Sequence, residues 1–125
     1  MTLKDRIIDE SLKLFSVKGY VNTSTTDIIT AAGTSKGGFY NHFKTKEELF
    51  TTALSRARKI WREKNLAGLD SLDHPVDRIQ KLLENYRDRY LADAHAFPGG
   101  CVFVTFAVEL RSEEHTSELQ SRFGI

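Results

Sequence analysis

The sequence predicts an all-α fold, and three features carry that reading. Capping boxes of the Ser/Thr-x-x-Asp/Glu type occur three times, at Thr2 with Asp5, Ser24 with Asp27 and Thr45 with Glu48. The stretches that follow them place apolar residues at helical spacing. Gly19 and Gly33 then stand where two of those stretches must stop, positions at which a left-handed C-cap costs glycine little.

Taken in order, the first helix opens at Thr2 and runs to about Lys18, with Leu3, Ile7, Ile8, Leu12, Leu14 and Phe15 spread over half its circumference. Such breadth suits a helix packed against two others. The second runs from Ser24 to Gly33, with Ile28, Ile29, Ala31 and Ala32 as its expected buried side. A third, capped by Thr34 or Ser35, is expected to reach about Phe43. Phe39 and Phe43 lie four apart and share its inward face, which leaves Lys36, Gly37, Tyr40 and Asn41 outward. A long fourth helix follows from Lys46 to about Leu66, striped by Phe50, Leu54, Ala57 and Trp61 and widened by Leu49, Ala53 and Ile60. Residues 67–74 contain Gly68, Asp70, Ser71 and Asp73 and read as a linker. Pro75 suits the first turn of a fifth helix, whose expected inward face is Val76, Ile79, Leu82, Leu83, Tyr86 and Tyr90. Pro98, Gly99 and Gly100 break the chain again. The apolar run from Cys101 to Leu110 has the β-branched and aromatic content of a buried strand, but its all-helical context makes it a helix.

At 125 residues the chain can bury one real core but not two large ones. Its net charge of +1 hides an asymmetry. Residues 1–66 carry 12 Lys and Arg against 7 Asp and Glu, whereas 67–125 carry 6 against 10. A basic first part joined to an acidic remainder assigns polyanion binding to the first part. Cys101 is the one cysteine, so no internal disulfide can form, as befits a reducing cytoplasm. No apolar run approaches the length of a membrane span, and no signal-peptide core is present. His42, His74, His95 and His115 lack metal-ligand spacing, so no metal or cofactor is expected.

Residues 24–48, STTDIITAAGTSKGGFYNHFKTKEE, thus read as helix, tight turn and short second helix. This is the pattern of a helix-turn-helix DNA reader, and the free backbone N–H groups at the start of its second helix can meet a phosphate. With its flanks, the stretch resembles the TetR family of bacterial transcriptional regulators. The matching positions are Gly19-Tyr20, Thr25, Asp27-Ile28, Ala32-Gly33, Ser35-Lys36-Gly37, Phe39-Tyr40, His42-Phe43 and Lys46-Glu47-Glu48-Leu49. The first 50 or so residues carry the likeness closely and the rest loosely, although PGGCVF looks like the start of a ligand-domain core in some members. The resemblance implies a DNA-binding domain at 1–48, then a connecting helix and an incomplete ligand-binding and dimerisation domain at 49–110. It implies a repressor that reads double-stranded operator DNA as a homodimer and is released by a small-molecule effector.

The resemblance also implies phosphate contacts for Thr25, Tyr40 and Lys46 and for the backbone near Ser35, Lys36 and Gly37. Chemistry agrees: Lys46 is a point charge near a helix start, Tyr40 offers a phenolic donor, and Gly37 lets the backbone approach closely. Such contacts fix register without reading sequence. Base readout then falls to Lys36, whose ammonium can reach guanine O6 and N7, and to Asn41, which can pair with adenine. Many relatives carry an aromatic residue at the position of Asn41, so base preference does not transfer there. His42 either touches a phosphate or closes the packing between the reader and the first helix.

Other readings compete. Cys101 beside two glycines could serve a redox sensor or a helical enzyme, although a lone cysteine in an apolar segment usually behaves as a small buried hydrophobe. A protein–protein adaptor with a non-functional reader is a third possibility. Trp61, Tyr86, Tyr90, Phe97 and Phe103 could line an effector pocket, but at helical spacing they are first of all core.

Residues 111–121, RSEEHTSELQS, translate in frame the start of a widely used short-read sequencing adapter, and Leu119 is their only clearly apolar residue. The native reading frame is therefore expected to end near Leu110, with 111–125 an artefactual tail that contributes nothing to fold or function. On this reading the family's dimerisation helices lie beyond the break, and the outer face of Cys101–Val108 and Leu110 loses its packing partners.

Overall fold

The computed structural model describes residues 1–111, and every regular element among them is helical. Residues 112–125, nearly all of the segment read as adapter translation, lie outside the described residues. The elements are α1 (Leu3–Lys18), α2 (Thr25–Ala32), α3 (Lys36–Tyr40), α4 (Lys46–Asn65), a 3₁₀ turn (Leu69–Ser71) and α5 (Pro75–Asn85). A π-helical turn over Tyr86–Tyr90 extends α5, and α6 spans 102–111. The segment Cys101–Leu110 is thus helical, despite its strand-like composition.

Helix starts follow the caps. Thr2 Oγ1 accepts from Asp5 N at 3.1 Å and Ser24 Oγ accepts from Asp27 N at 3.0 Å, and each aspartate reaches back to the cap residue's own N–H. Those hydrogen bonds, with the Lys18 ammonium 3.1 Å away, hold the Asp27 carboxyl below the ordinary carboxylate value. The third box is only half formed. Thr45 Oγ1 accepts from Glu48 N at 3.1 Å, but Glu48 turns to Lys44 N at 3.2 Å and not to Thr45. A glutamate has one methylene more than the aspartates of the other boxes, and here it reaches one residue further back.

α1 is the axis of the first part. Ile7, Ile8, Leu12 and Phe15 are buried against α2, α4 and the segment at 97–106. Ile28 and Ala32 bury the inner side of α2, whereas Ala31, expected inside, is exposed. With only eight residues, α2 presents a stripe one residue wide per turn to α1, and Ala31 lies off it. Arg6 Nε donates to Ala32 O at 2.8 Å, so α1 satisfies a carbonyl at the C-terminus of α2. Arg56 joins α4 to α1 through Asp5 (2.9 Å) and Asp9 (3.1 Å), a fork that sets orientation more than stability at a part-exposed site.

α5 departs from expectation. Leu82 is half-buried, Tyr86 packs on the core and Tyr90 is buried, but Val76, Ile79 and Leu83 are each about 60% exposed. α5 meets α4 only near its C-terminal end, where Asn85 Nδ2 donates to Asn65 O and Ala67 O, both at 2.9 Å. Its apolar stripe is therefore longer than its contact, and its outer stretch has no partner among the described residues. The π turn brings Tyr86 and Tyr90 into a stack with centroids 5.4 Å apart.

The loop at Pro98–Gly100 returns the chain to α1. Gly99 N donates to the buried Ser16 Oγ at 3.1 Å, and a Cβ on Gly99 would lie 2.0 Å from Ser16 O. Backbone meets backbone here, so nothing nearby can rotate aside. Gly99→Ala is expected to destabilise the chain by about 1–3 kcal/mol, as overpacking does. Urea unfolding followed by circular dichroism would read this as a lower midpoint at unchanged slope.

Candidate nucleic-acid interface

The reader is built by α2, a three-residue turn and α3. Gly33 takes φ 64° and ψ 38°, and its N–H donates to Thr30 O at 3.1 Å while Thr34 N reaches Ile29 O at 3.2 Å. A Cβ on Gly33 would touch nothing, so the left-handed backbone alone calls for glycine there. Ser35 caps α3, its Oγ accepting from Gly38 N at 3.1 Å.

α3 is shorter than expected and ends at Tyr40, not near Phe43. Two glycines in its five residues weaken it, and Thr45 begins α4 soon afterwards. One more turn of backbone bonding, from Phe43 N to Phe39 O at 3.0 Å, still places both phenylalanines inward, buried with centroids 6.1 Å apart. They anchor α3 so that its other face is free. Lys36, Gly37 and Asn41 are exposed on that face, with Tyr40 41% exposed and edge-on to Phe39 at 5.0 Å. Thr25, at the first position of α2, is half-buried. His42 is exposed and does not close the packing against α1; Phe43 does so, with the Lys4 ammonium 5.8 Å above its ring.

Lys46, the first residue of α4, is half-buried. Its ammonium donates to Tyr20 O at 2.5 Å and sits 4.1 Å from the centre of the Tyr20 ring. Burial lowers its pKa, while the charges of Glu109 and Glu47 act the other way. The structure therefore brings together Ser35, Lys36, Gly37, Tyr40, Asn41 and His42 on one exposed edge, with Thr25 beside them and Lys46 bonded to the carbonyl of Tyr20. Glu109, which reaches the loop between α1 and α2, was missed from sequence. The available signal was that it is the only charged residue between Cys101 and Leu110.

Cys101 is half-buried at the start of α6, with its sulfur 3.4 Å from Tyr90 Oη. Burial raises its pKa, but hydrogen bonds from the Tyr90 and Tyr86 phenols and from Val104 and Phe103 N–H outweigh this and bring the thiol below its ordinary value. Among the described residues no group of His, Cys, Asp or Glu has the arrangement of a metal site. No helix among them is long and apolar enough to cross a membrane.

A short helix with an exposed polar edge, held by two phenylalanines behind a left-handed glycine turn, is the architecture of a helix-turn-helix DNA-binding domain. Residues 7–53 match the family of bacterial regulatory proteins named tetR. Over 63 residues the chain is 43% identical to the HTH-type transcriptional regulator QacR of Staphylococcus aureus, a match that covers 50% of this chain and 34% of that protein. It is 30% identical over 110 residues to the HTH-type transcriptional repressor DhaR of a Mycobacterium species, covering 86% and 52%. The crystal structure of a TetR transcriptional regulator from Chloroflexus aurantiacus matches 86% of this chain, at 36% identity and a TM-score of 0.74, over 53% of its own length. The chain spans about a third to a half of the length of these relatives.

Gly37 offers a test of the edge. A Cβ there would meet only Ser35 Oγ at 3.9 Å, so the chain's own packing does not require glycine. Gly37→Ala should leave thermal stability unchanged or slightly raised, and should weaken binding to duplex DNA if a phosphate approaches the backbone. A fluorescence-anisotropy titration would show equal affinity if no such approach occurs.

Proposed function

We propose that this chain carries the DNA-reading part of a cytoplasmic TetR-type transcriptional regulator, acting on double-stranded operator DNA. The observation that carries this is the exposed row of Lys36, Gly37, Tyr40 and Asn41 on a helix anchored by Phe39 and Phe43. In this reading α3 enters the major groove. The backbone at Ser35, Lys36 and Gly37 approaches one phosphate, while Thr25, Tyr40 and His42 meet its neighbours. Lys36 reads guanine, and Asn41 reads adenine. The chain performs no catalysis. Its regulatory action is repression, by analogy with the relative named as a repressor. Two copies would read a palindrome, their α3 helices one DNA turn apart, and a small-molecule effector would release them.

A second reading, a thiol-based sensor, draws on the hydrogen-bonded Cys101. It requires modification of Cys101 to alter activity, and a Cys101→Ser chain that regulates normally would remove it.

The DNA reading makes a graded prediction. Affinity for duplex DNA should fall steeply with salt, as counterion release demands. Tyr40→Phe should weaken binding to all sequences alike. Lys36→Ala and Asn41→Ala should instead change sequence preference, by roughly 1–3 kcal/mol per lost base contact. Selection from a random duplex pool followed by titration would separate these outcomes. Unaltered preference in both alanine variants would contradict the docking.

A further inference from the structure

The loop between α1 and α2 is gripped from outside by two elements that are remote in sequence. Glu109, on α6, accepts from Tyr20 N at 2.9 Å through Oε2 and from Val21 N at 3.2 Å through Oε1. Lys46, the first residue of α4, donates to Tyr20 O at 2.5 Å. Tyr20 O and Val21 N belong to one peptide unit. A carboxylate therefore sits at its donor end and an ammonium at its acceptor end, the arrangement in which a peptide dipole is held most firmly. Thr23 Oγ1 closes the same loop from within, donating to Gly19 O at 2.6 Å.

Side-chain packing follows the same pattern. The Tyr20 ring lies 4.6 Å from Phe50 on α4 and 5.8 Å from Phe15 on α1, and Phe106 on α6 lies 5.0 Å from Phe50. Gly19 has φ 81°, and a Cβ on it would lie 2.1 Å from Glu109 Oε1. The carboxylate lies against the open side of Gly19, whose positive φ favours glycine there. The charge of Glu109 also acts on Lys46, opposing the effect of burial there.

We propose that Glu109 and Lys46 form a clamp on the Gly19–Val21 loop that positions the reader, with Lys46 a positioning residue in the DNA-free chain. This rests on the DNA-binding reading above and adds to it a link between α6 and the reader. The loop leads through Asn22–Ser24 into α2, and Lys46 follows α3 after residues 41–45. Holding both to one peptide unit fixes the two ends of the 21–46 stretch to each other and to α6. An ammonium occupied by a carbonyl and a ring face must leave both before it can reach a phosphate.

Three variants of the full chain test this, Glu109→Ala, Glu109→Gln and Lys46→Met, using a duplex that the wild-type chain has selected from a random-sequence pool. Simple electrostatics predicts that removing the negative charge of Glu109 strengthens binding to a polyanion. The clamp predicts the opposite, a loss of roughly tenfold for Glu109→Ala, the scale of one charge-assisted hydrogen bond. Glu109→Gln keeps an acceptor oxygen and should recover part of it. Lys46→Met, read by exchange without DNA, should loosen the same loop, whatever charge the lysine also offers to DNA. Without DNA, amide hydrogen exchange by NMR should show Tyr20 and Val21 protected in the wild-type chain and selectively exposed in Glu109→Ala. Unchanged exchange at those amides, or tighter DNA binding by Glu109→Ala, would each overturn the proposal. A wild-type chain that selects no duplex would remove the functional reading and the positioning role with it, while exchange would still decide whether the clamp forms.

Discussion

Phe15 is fully buried where α1, the following loop, α4 and α6 meet, and its ring touches those of Tyr20, Phe50 and Phe106 at 5.8 to 6.1 Å. The tilted and edge-on geometries are those that aromatic pairs prefer. The rest of the arrangement depends on this contact. It fixes where α1 ends, and so where the loop departs toward α2. It also places α4 so that Arg56 can reach Asp5 and Asp9, and brings α6 within reach of the loop amides. The close approach of Gly99 to Ser16 lies one residue further along α1 and reinforces the same junction.

From this junction outward, the reader behaves as a platform with one apolar side and one polar edge. Its rigidity comes from small, well-defined contacts: two complete capping boxes, a left-handed glycine, a carbonyl of α2 held by Arg6, and two buried phenylalanines. The polar edge makes few contacts of its own. Lys36, Asn41 and His42 are exposed, and Gly37 is not shaped by any neighbour. Residues that fold the domain and residues offered to a partner are separate sets, which is what a recognition surface on a stable scaffold requires.

Much of this was legible in the sequence because helix starts and stops are local. Thr2, Ser24, Gly19 and Gly33 act within a few residues of themselves, and their spacing declared α1 and α2 correctly. The inward pair Phe39 and Phe43 was legible for the same reason. Features set by tertiary contact were not. Ala31 is exposed because α2 offers only a narrow stripe to α1. Val76, Ile79 and Leu83 are exposed because α5 meets α4 only near its C-terminal end. The bond of Lys46 and the reach of Glu109 join positions 26 and 89 residues away from Tyr20, distances at which spacing rules carry no information. A single charge in an otherwise apolar helix was the one visible trace of that contact.

The central claim, that the exposed edge of α3 meets DNA while the Phe15 junction holds it in place, is tested most directly by an NMR titration of the labelled chain with duplex DNA at low salt. The account predicts that amide shifts concentrate at Thr25 and along Ser35–His42, that α5 stays unmoved, and that raising salt reverses the effect. Shifts centred on the exposed stripe of α5, or none anywhere in α2 and α3, would contradict it.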